Sequence, residues 1–221
     1  MCGRFSLVAE VEELAEAFSV SEQLDEPEAR FNIAPSQALL AVVAGPERRF
    51  VRLRWGLIPS WAKDPSMGTR LINARAETVA EKPSFRSAFK ARRCLIPATG
   101  FYEWQRREAS KKQPYYLRLQ DMRPFAFAGL WERWTGPEGE VIDSCTILTT
   151  SANTLMKPIH DRMPVILEPR DYELWLDPDT RSPDRLIPLL KPYPPDQMSA
   201  HQVSPLVNSP ANDSPECINS L

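Results

Sequence analysis

Long apolar runs are missing from this chain. None of its 221 residues belongs to a stretch near the ~20 apolar positions that a membrane-spanning helix needs, so no transmembrane helix is expected. A secretory leader is also missing, because the segment after Phe5 is acidic and amphipathic and does not follow a basic start. A cytoplasmic protein is the expectation. Cysteine is scarce: Cys2, Cys94, Cys145 and Cys217 stand far apart, with no C-x-x-C pair and no cysteine–histidine ligand spacing. That argues against a disulfide framework and a zinc site, and neither metal nor cofactor is expected. Histidines number two, His160 and His201, and no glycine loop is built to cradle phosphate. With no internal repeat and no low-complexity linker, residues 1–221 are expected to form one domain ending in an irregular tail from about 205.

Proline is abundant, 22 residues against a usual share of roughly 5%. It punctuates the whole chain and favours short elements joined by stiff loops over long helices. Charge is unevenly spread. Residues 1–50 carry a net −5, residues 51–118 a net +10 and residues 119–221 a net −7, within a total of −2. The central basic block reads either as a solvated face or as the footprint of a polyanion site.

Leu7, Val11, Leu14, Ala15 and Phe18 recur at helical spacing, which predicts an amphipathic helix over 7–18 with Ser6 as N-cap and Glu10, Glu12, Glu13 and Glu16 in water. An acidic, non-periodic stretch comes next over 21–30, and Pro35 makes a stiff loop in FNIAPSQ, residues 31–37. Strands are predicted over Ala38 to Val43 and Phe50 to Trp55, the latter alternating in character. A short helix is predicted to include FRSAFKARR, 85–93, followed by a buried strand over Cys94 to Pro97 and an alternating run from Phe101 to Trp104. Tyr115 to Leu119 and Phe125 to Trp131 read as successive antiparallel strands, with Lys111, Lys112 and Asp121 to Pro124 in the intervening turns. Val141 to Thr150 and Val165 to Leu167 complete the strand-rich region, with a loop over Ile159 to Pro164. Short helical pieces are predicted at Asp171 to Leu176 and Arg185 to Leu190. Cys94 and Cys145 fall in apolar runs and read as buried small hydrophobes, and His201 reads as structural.

Four features carry chemistry. Removal of Met1 leaves Cys2 with a thiol and a free α-amine on one Cα, two nucleophiles able to add in turn to one aldehyde carbon and close a thiazolidine. Its amine has an ordinary pKa of about 7.7–8.0, so part of it is neutral at pH 7. Position alone favours Cys2 being an ordinary second residue. Glu103, set among Phe101, Tyr102 and Trp104, is either a desolvated carboxyl with a raised pKa or an edge-strand glutamate facing water. His160, flanked by Asp161 and Arg162 at a strand entrance, is better placed for function than a lone histidine usually is. Trp55 and Trp61, in WGLIPSW, are either core plugs or stacking surfaces for bases.

Taken together, MCGRF, FNIAPSQ, WGLIPSW, NARAET, CLIPATGFYEW, FAFAGLWE, TILTTSAN and IHDRMPVIL resemble, in order and from Cys2 to about Glu216, the SRAP family of SOS response-associated peptidase-like proteins. The resemblance implies an α+β fold: a single domain with a β-rich, mainly antiparallel, barrel-like core and short flanking helices. It also implies an enzyme that recognises abasic sites in single-stranded DNA and crosslinks to them through its N-terminal cysteine. Carried over by position, the catalytic group is Cys2, Asn73, Glu103 and His160. Arg4, Arg75 and Arg86 match basic positions resembling phosphate contacts, and Pro35 and Trp61 fall in loops that separate or stack the flanking bases. The implied partner is single-stranded DNA containing abasic sites, bound by a monomer with no membrane association. Two rival readings stand beside it, a self-processing N-terminal-nucleophile peptidase or amidohydrolase and a non-covalent single-strand binding module. Residues 19–30 and 169–200 carry no family pattern.

Overall fold

A computed structural model describes residues 2–21, 29–106 and 112–221. Met1 and its removal, the acidic stretch over 22–28, and the turn lysine Lys111 lie outside the described residues. Among those described, the strands in chain order are β1 (Phe5–Leu7), β2 (Arg30–Ile33), β3 (Ala38–Val43), β4 (Arg49–Trp55), β5 (Asn73–Arg75), β6 (Arg93–Ala98), β7 (Gly100–Gln105), β8 (Gln113–Leu119), β9 (Phe125–Thr135), β10 (Val141–Ser151), β11 (Arg162–Pro164), β12 (Ile166–Leu167) and β13 (Met198–Gln202). The α-helices are α1 (Val11–Phe18), α2 (Arg86–Ala91), α3 (Tyr172–Leu176) and α4 (Pro183–Leu186).

Five strands close on themselves. β10 pairs with β4, β4 with β3, β3 with β6, β6 with β9, and β9 returns to β10. Closure removes the free edges that an open sheet would expose. Apolar residues occupy both faces of β6 and most of β9, as expected of strands buried between a barrel interior and a covering layer. Gly129 makes room there, since a Cβ would stand 2.7 Å from the Cys94 sulfur and 2.8 Å from Ile96 and would force those buried side chains to shift. Pro97 is tolerated because β3 pairs with β6 only at Cys94 and Leu95, leaving the far end of that edge without a ladder partner.

β10, at 11 residues as long as β9, recruits further strands along its length. β4 runs parallel to it at Ser144 and Cys145, β5 takes over at Ile147 to Thr149, and on the other edge β11 replaces β9 from Thr149. A separate antiparallel sheet, ordered β13-β8-β7-β1-β2, lies beside the barrel. Phe5 joins the two layers, its ring meeting Trp55 at 5.4 Å and Phe127 at 5.7 Å, both edge-on. Burying a ring of that size contributes about 1.5–3 kcal/mol. The α+β class with a mainly antiparallel barrel core is therefore as expected.

Several local expectations are corrected. Residues 5–7 form a strand, and the helix begins only at Val11 after Glu10, which makes no side-chain cap. Ser6 is buried in β1, its Oγ 2.8 Å from the Tyr116 hydroxyl. Local spacing cannot register the pairing of Phe5 with Ile33 and Phe101, which wins over helical periodicity. Arg30, expected at the end of an irregular stretch, instead opens the strand Arg30–Ile33, which stops before the loop at Pro35. The helix within 85–93 stops at Ala91, because Arg93 is claimed by β6. β8 and β9 do not pair with each other but belong to different sheets, and Arg162 to Pro164 is a strand where a loop was expected.

Candidate active site and nucleic-acid surface

The four residues singled out for chemistry are supplied in pairs by the two layers. Cys2 precedes β1, and Glu103 lies on the adjacent β7, where Phe5 pairs with Phe101 and the Tyr102 N–H donates to the Arg4 carbonyl at 3.0 Å. Asn73 and His160 hang from the far half of β10, Asn73 opposite Ile147 and His160 two residues before the Arg162–Ser151 pair. A bond from Gln105 Nε2 to the Pro158 carbonyl, 3.1 Å, ties the end of the Glu103 strand to the loop carrying His160.

Glu103 is 2% exposed. Burial pushes its pKa up, and the nearby His160 opposes the rise. Cys2 is fully buried; burial, and after it the Glu103 charge, push its thiol well above the ordinary range. The thiol is thus protonated at neutral pH and needs a base when it reacts. His160 Nδ1 accepts from the Arg162 amide at 3.0 Å and lies 2.9 Å from Asp161 Oδ1. The first contact suits a neutral ring and the second a ring protonated at Nδ1, so the loop holds the imidazole in place in both states. That loop is built by Asn153, whose Oδ1 accepts from Met156 N–H at 2.9 Å and whose Nδ2 donates to the Tyr193 carbonyl at 2.7 Å. Arg162 fixes its far end with a two-pronged pair to Glu77, 2.6 and 2.9 Å, and a bond to the Thr149 carbonyl at 2.7 Å.

Asn73 makes one long bond, Nδ2 to the Ile147 carbonyl at 3.5 Å, and its buried Oδ1 has no hydrogen-bond partner among the described residues. It is linked to the N-terminal strand through Trp55, whose indole donates to the Ile72 carbonyl at 2.9 Å and packs on Phe5. Glu103 is in electrostatic reach of both Cys2 and His160, while Asn73 is tied to the N-terminal strand through its neighbour Ile72 and Trp55.

The two tryptophans of WGLIPSW divide the roles open to them: Trp55 is a core plug at 0% exposure and Trp61 is 58% exposed. Trp61 lines a groove of about 810 Å³ with Lys63, Met67 and Arg70. Arg75 and Arg86 are exposed, on β5 and at the start of α2. Pro35 is half-buried in the β2–β3 turn, where Ser36 adopts φ 72°. Arg4 is half-buried and donates to Asn32 and to tail carbonyls. The basic block is not one surface. Arg93 is 3% exposed and donates to the carbonyls of Trp175, Phe89 and Asp177, and Arg92 pairs with Glu132 at 2.6 Å. Asn32 and Asn153, both buried polar residues that organise the site's surroundings, lie in FNIAPSQ and TILTTSAN, but nothing local singles them out, since their Nδ2 groups donate to backbone carbonyls distant in the chain.

Residues 1–210 match the family described as SOS response associated peptidase (SRAP). The chain is 51% identical over 223 aligned positions to the abasic site processing protein YoqW of Bacillus subtilis (strain 168), with both chains covered in full. It is 37% identical over 195 positions to the abasic site processing protein HMCES of Xenopus tropicalis, covering 78% of this chain and 57% of that one. A crystal structure of a protein from Bacteroides thetaiotaomicron superimposes with a TM-score of 0.86 at 30% identity, over 100% of both chains.

Proposed function

Because the chain belongs to the SOS response associated peptidase family, we propose that it processes abasic sites in single-stranded DNA by forming a covalent crosslink through Cys2. The observation that carries this reading is the buried Glu103 carboxyl standing in electrostatic contact with both Cys2 and His160. No helix among the described residues is long and apolar enough to cross a membrane. The proposed setting is the cytoplasm, with the protein acting as a monomer and one SRAP-like domain.

Removal of Met1 exposes the Cys2 amine. An abasic deoxyribose must open before its C1′ aldehyde is available, and Glu103, whose pKa burial raises, is suited to exchange the ring-oxygen proton. The Cys2 amine adds to C1′, and the resulting hydroxyl leaves as water with a proton from Glu103, giving a Schiff base. The Cys2 thiol then adds to C1′ and passes its proton to the Glu103 carboxylate. The net change is aldehyde plus aminothiol to thiazolidine plus one water, and Glu103 ends as it began. The raised thiol pKa fits the order, amine first and sulfur second. The free Oδ1 of Asn73 is an acceptor for the amine N–H, and His160 tunes the Glu103 charge and donates to the opened sugar. Selectivity comes from the lesion, since a normal nucleotide presents no aldehyde and has a base to displace. Trp61 supplies a stacking face, and Arg75 and Arg86 supply phosphate contacts.

The test is incubation of the purified protein with single-stranded DNA carrying one abasic site. A denaturation-resistant adduct is expected with wild type and none with Cys2→Ala. Full crosslinking by Cys2→Ala, or equal non-covalent binding of intact and abasic strands with no adduct, sinks the proposal.

A further inference from the structure

Residues 206–213 look like an unstructured tail in sequence, yet their carbonyls converge on one buried side chain. Asn32, 0% exposed on β2, directs Nδ2 at the carbonyls of Val207 (3.2 Å), Ser209 (3.0 Å) and Asn212 (2.7 Å). Its Oδ1 accepts from Arg4 Nη1 at 2.9 Å, and the same guanidinium reaches the Val207 carbonyl at 2.8 Å and the Asn208 carbonyl at 3.3 Å. Asp213 closes the loop, accepting from the N–H groups of Phe31 and Asn32 at 2.5 and 2.9 Å and from Arg30 Nε at 2.5 Å. Beneath lie Tyr102, Tyr116, Val203, Val207 and Cys217, a small apolar cluster separate from the barrel core.

β1 lies between β7, which carries Glu103, and β2, which carries Asn32. A chain terminus frays unless something ties it down, and β1 has only three residues. On the β7 side, the last backbone tie is the Tyr102–Arg4 bond. On the β2 side, the Arg4 side chain is held by Asn32 and the tail. Cys2 stands two residues beyond that double anchor.

We propose that Asn32, together with the 206–213 segment, is a positioning device for the reaction, holding Arg4 so that the Cys2 amine and thiol stay in register over Glu103. This rests on the crosslinking function proposed above. Asn32 is buried and the tail contacts it through backbone carbonyls, so the device acts on geometry and not on DNA affinity. Displacement of a reacting group by about 1 Å can cost roughly 10²-fold in rate.

The experiment uses full-length protein lacking Met1 and compares wild type, Asn32→Ala and Asp213→Asn, each checked for folding by near-UV circular dichroism. Affinity is read as Kd for single-stranded DNA carrying a tetrahydrofuran abasic analogue, which has no aldehyde. The chemical step is read as the single-turnover crosslinking rate at saturating DNA with a true abasic site. Expected is a rate loss of about 10- to 100-fold for Asn32→Ala, a smaller loss of about 3- to 10-fold for Asp213→Asn, and Kd within twofold of wild type for both. Unchanged rates in folded variants overturn the proposal, and so does a rate loss that disappears once Kd is accounted for. If Asn32→Ala does not fold, Asp213→Asn decides by the same two measurements. Wild-type protein that forms no adduct defeats the functional reading itself, an outcome distinct from a wild type that crosslinks and variants that do so equally fast.

Discussion

Glu103 and Cys2 share one buried place: burial, reinforced by the Glu103 charge, pushes the Cys2 thiol up, and burial also lifts the Glu103 carboxyl above its usual range. Burying two titratable groups together costs stability, and such groups cluster at reactive sites.

Replacing Glu103 by Gln tests that cost directly. A carboxyl whose folded pKa is raised binds its proton more tightly in the native state, so wild-type stability falls as pH rises from the unfolded value of about 4.5 through the folded one. Glu103→Gln removes the penalty. Its Tm should match wild type near pH 4 and exceed it by about 2–4 °C at pH 7.5, while the crosslinking rate falls by about 10²- to 10⁴-fold. Thermal melts across this pH range check the first part and single-turnover kinetics the second.

Cys2→Ser keeps the amine and loses the sulfur. It should form a Schiff base that borohydride traps as a stable secondary amine, but without borohydride no adduct should survive heat and denaturant. Gel analysis with and without the reductant separates the two steps, and a stable adduct without reductant would contradict the thiazolidine.

Two arginines seven residues apart in the basic block should behave in opposite ways. Arg86 is exposed, so Arg86→Ala should leave Tm unchanged, weaken binding of single-stranded DNA and reduce the slope of log K against log salt by about 0.7. Arg93 is buried on three carbonyls, with its guanidinium 5.8 Å from the Trp175 ring centroid. Arg93→Ala should cost about 2–4 kcal/mol of stability, and leave the salt slope unaltered in the folded fraction. Salt titrations and denaturant melts of both variants check this.

Trp61→Ala removes an exposed ring from the rim of the groove. Its Tm should stay within about 1 °C of wild type, because the side chain buries little. The Kd for abasic single strands should rise by about 5- to 150-fold, the range that loss of one stacking platform implies. Fluorescence anisotropy on a labelled oligonucleotide measures it.

The sequence by itself determined the class of fold and singled out the proposed reactive group. Alternation in Phe50 to Trp55 and the apolar runs around Cys94 and Cys145 are local patterns from which burial follows, whereas the carboxylate among three aromatics stays open between burial and water until β7 is paired on both sides. Tertiary structure alone decided which edges meet. Leu7 keeps helical spacing with Val11 and Leu14, but the segment Phe5 to Leu7 is captured between β2 and β7. Arg93 resembles its basic neighbours in sequence, yet it is drawn inward by carbonyls that include one more than eighty residues away. Asn32 and the 206–213 segment show the same limit most clearly. Their bonds run to backbone groups about 175–180 residues distant, and a carbonyl has no side-chain signature for a sequence to display. The proposed nucleophile is therefore legible in its own residue, while the groups proposed to hold it in place are written in contacts that exist only once the chain has folded.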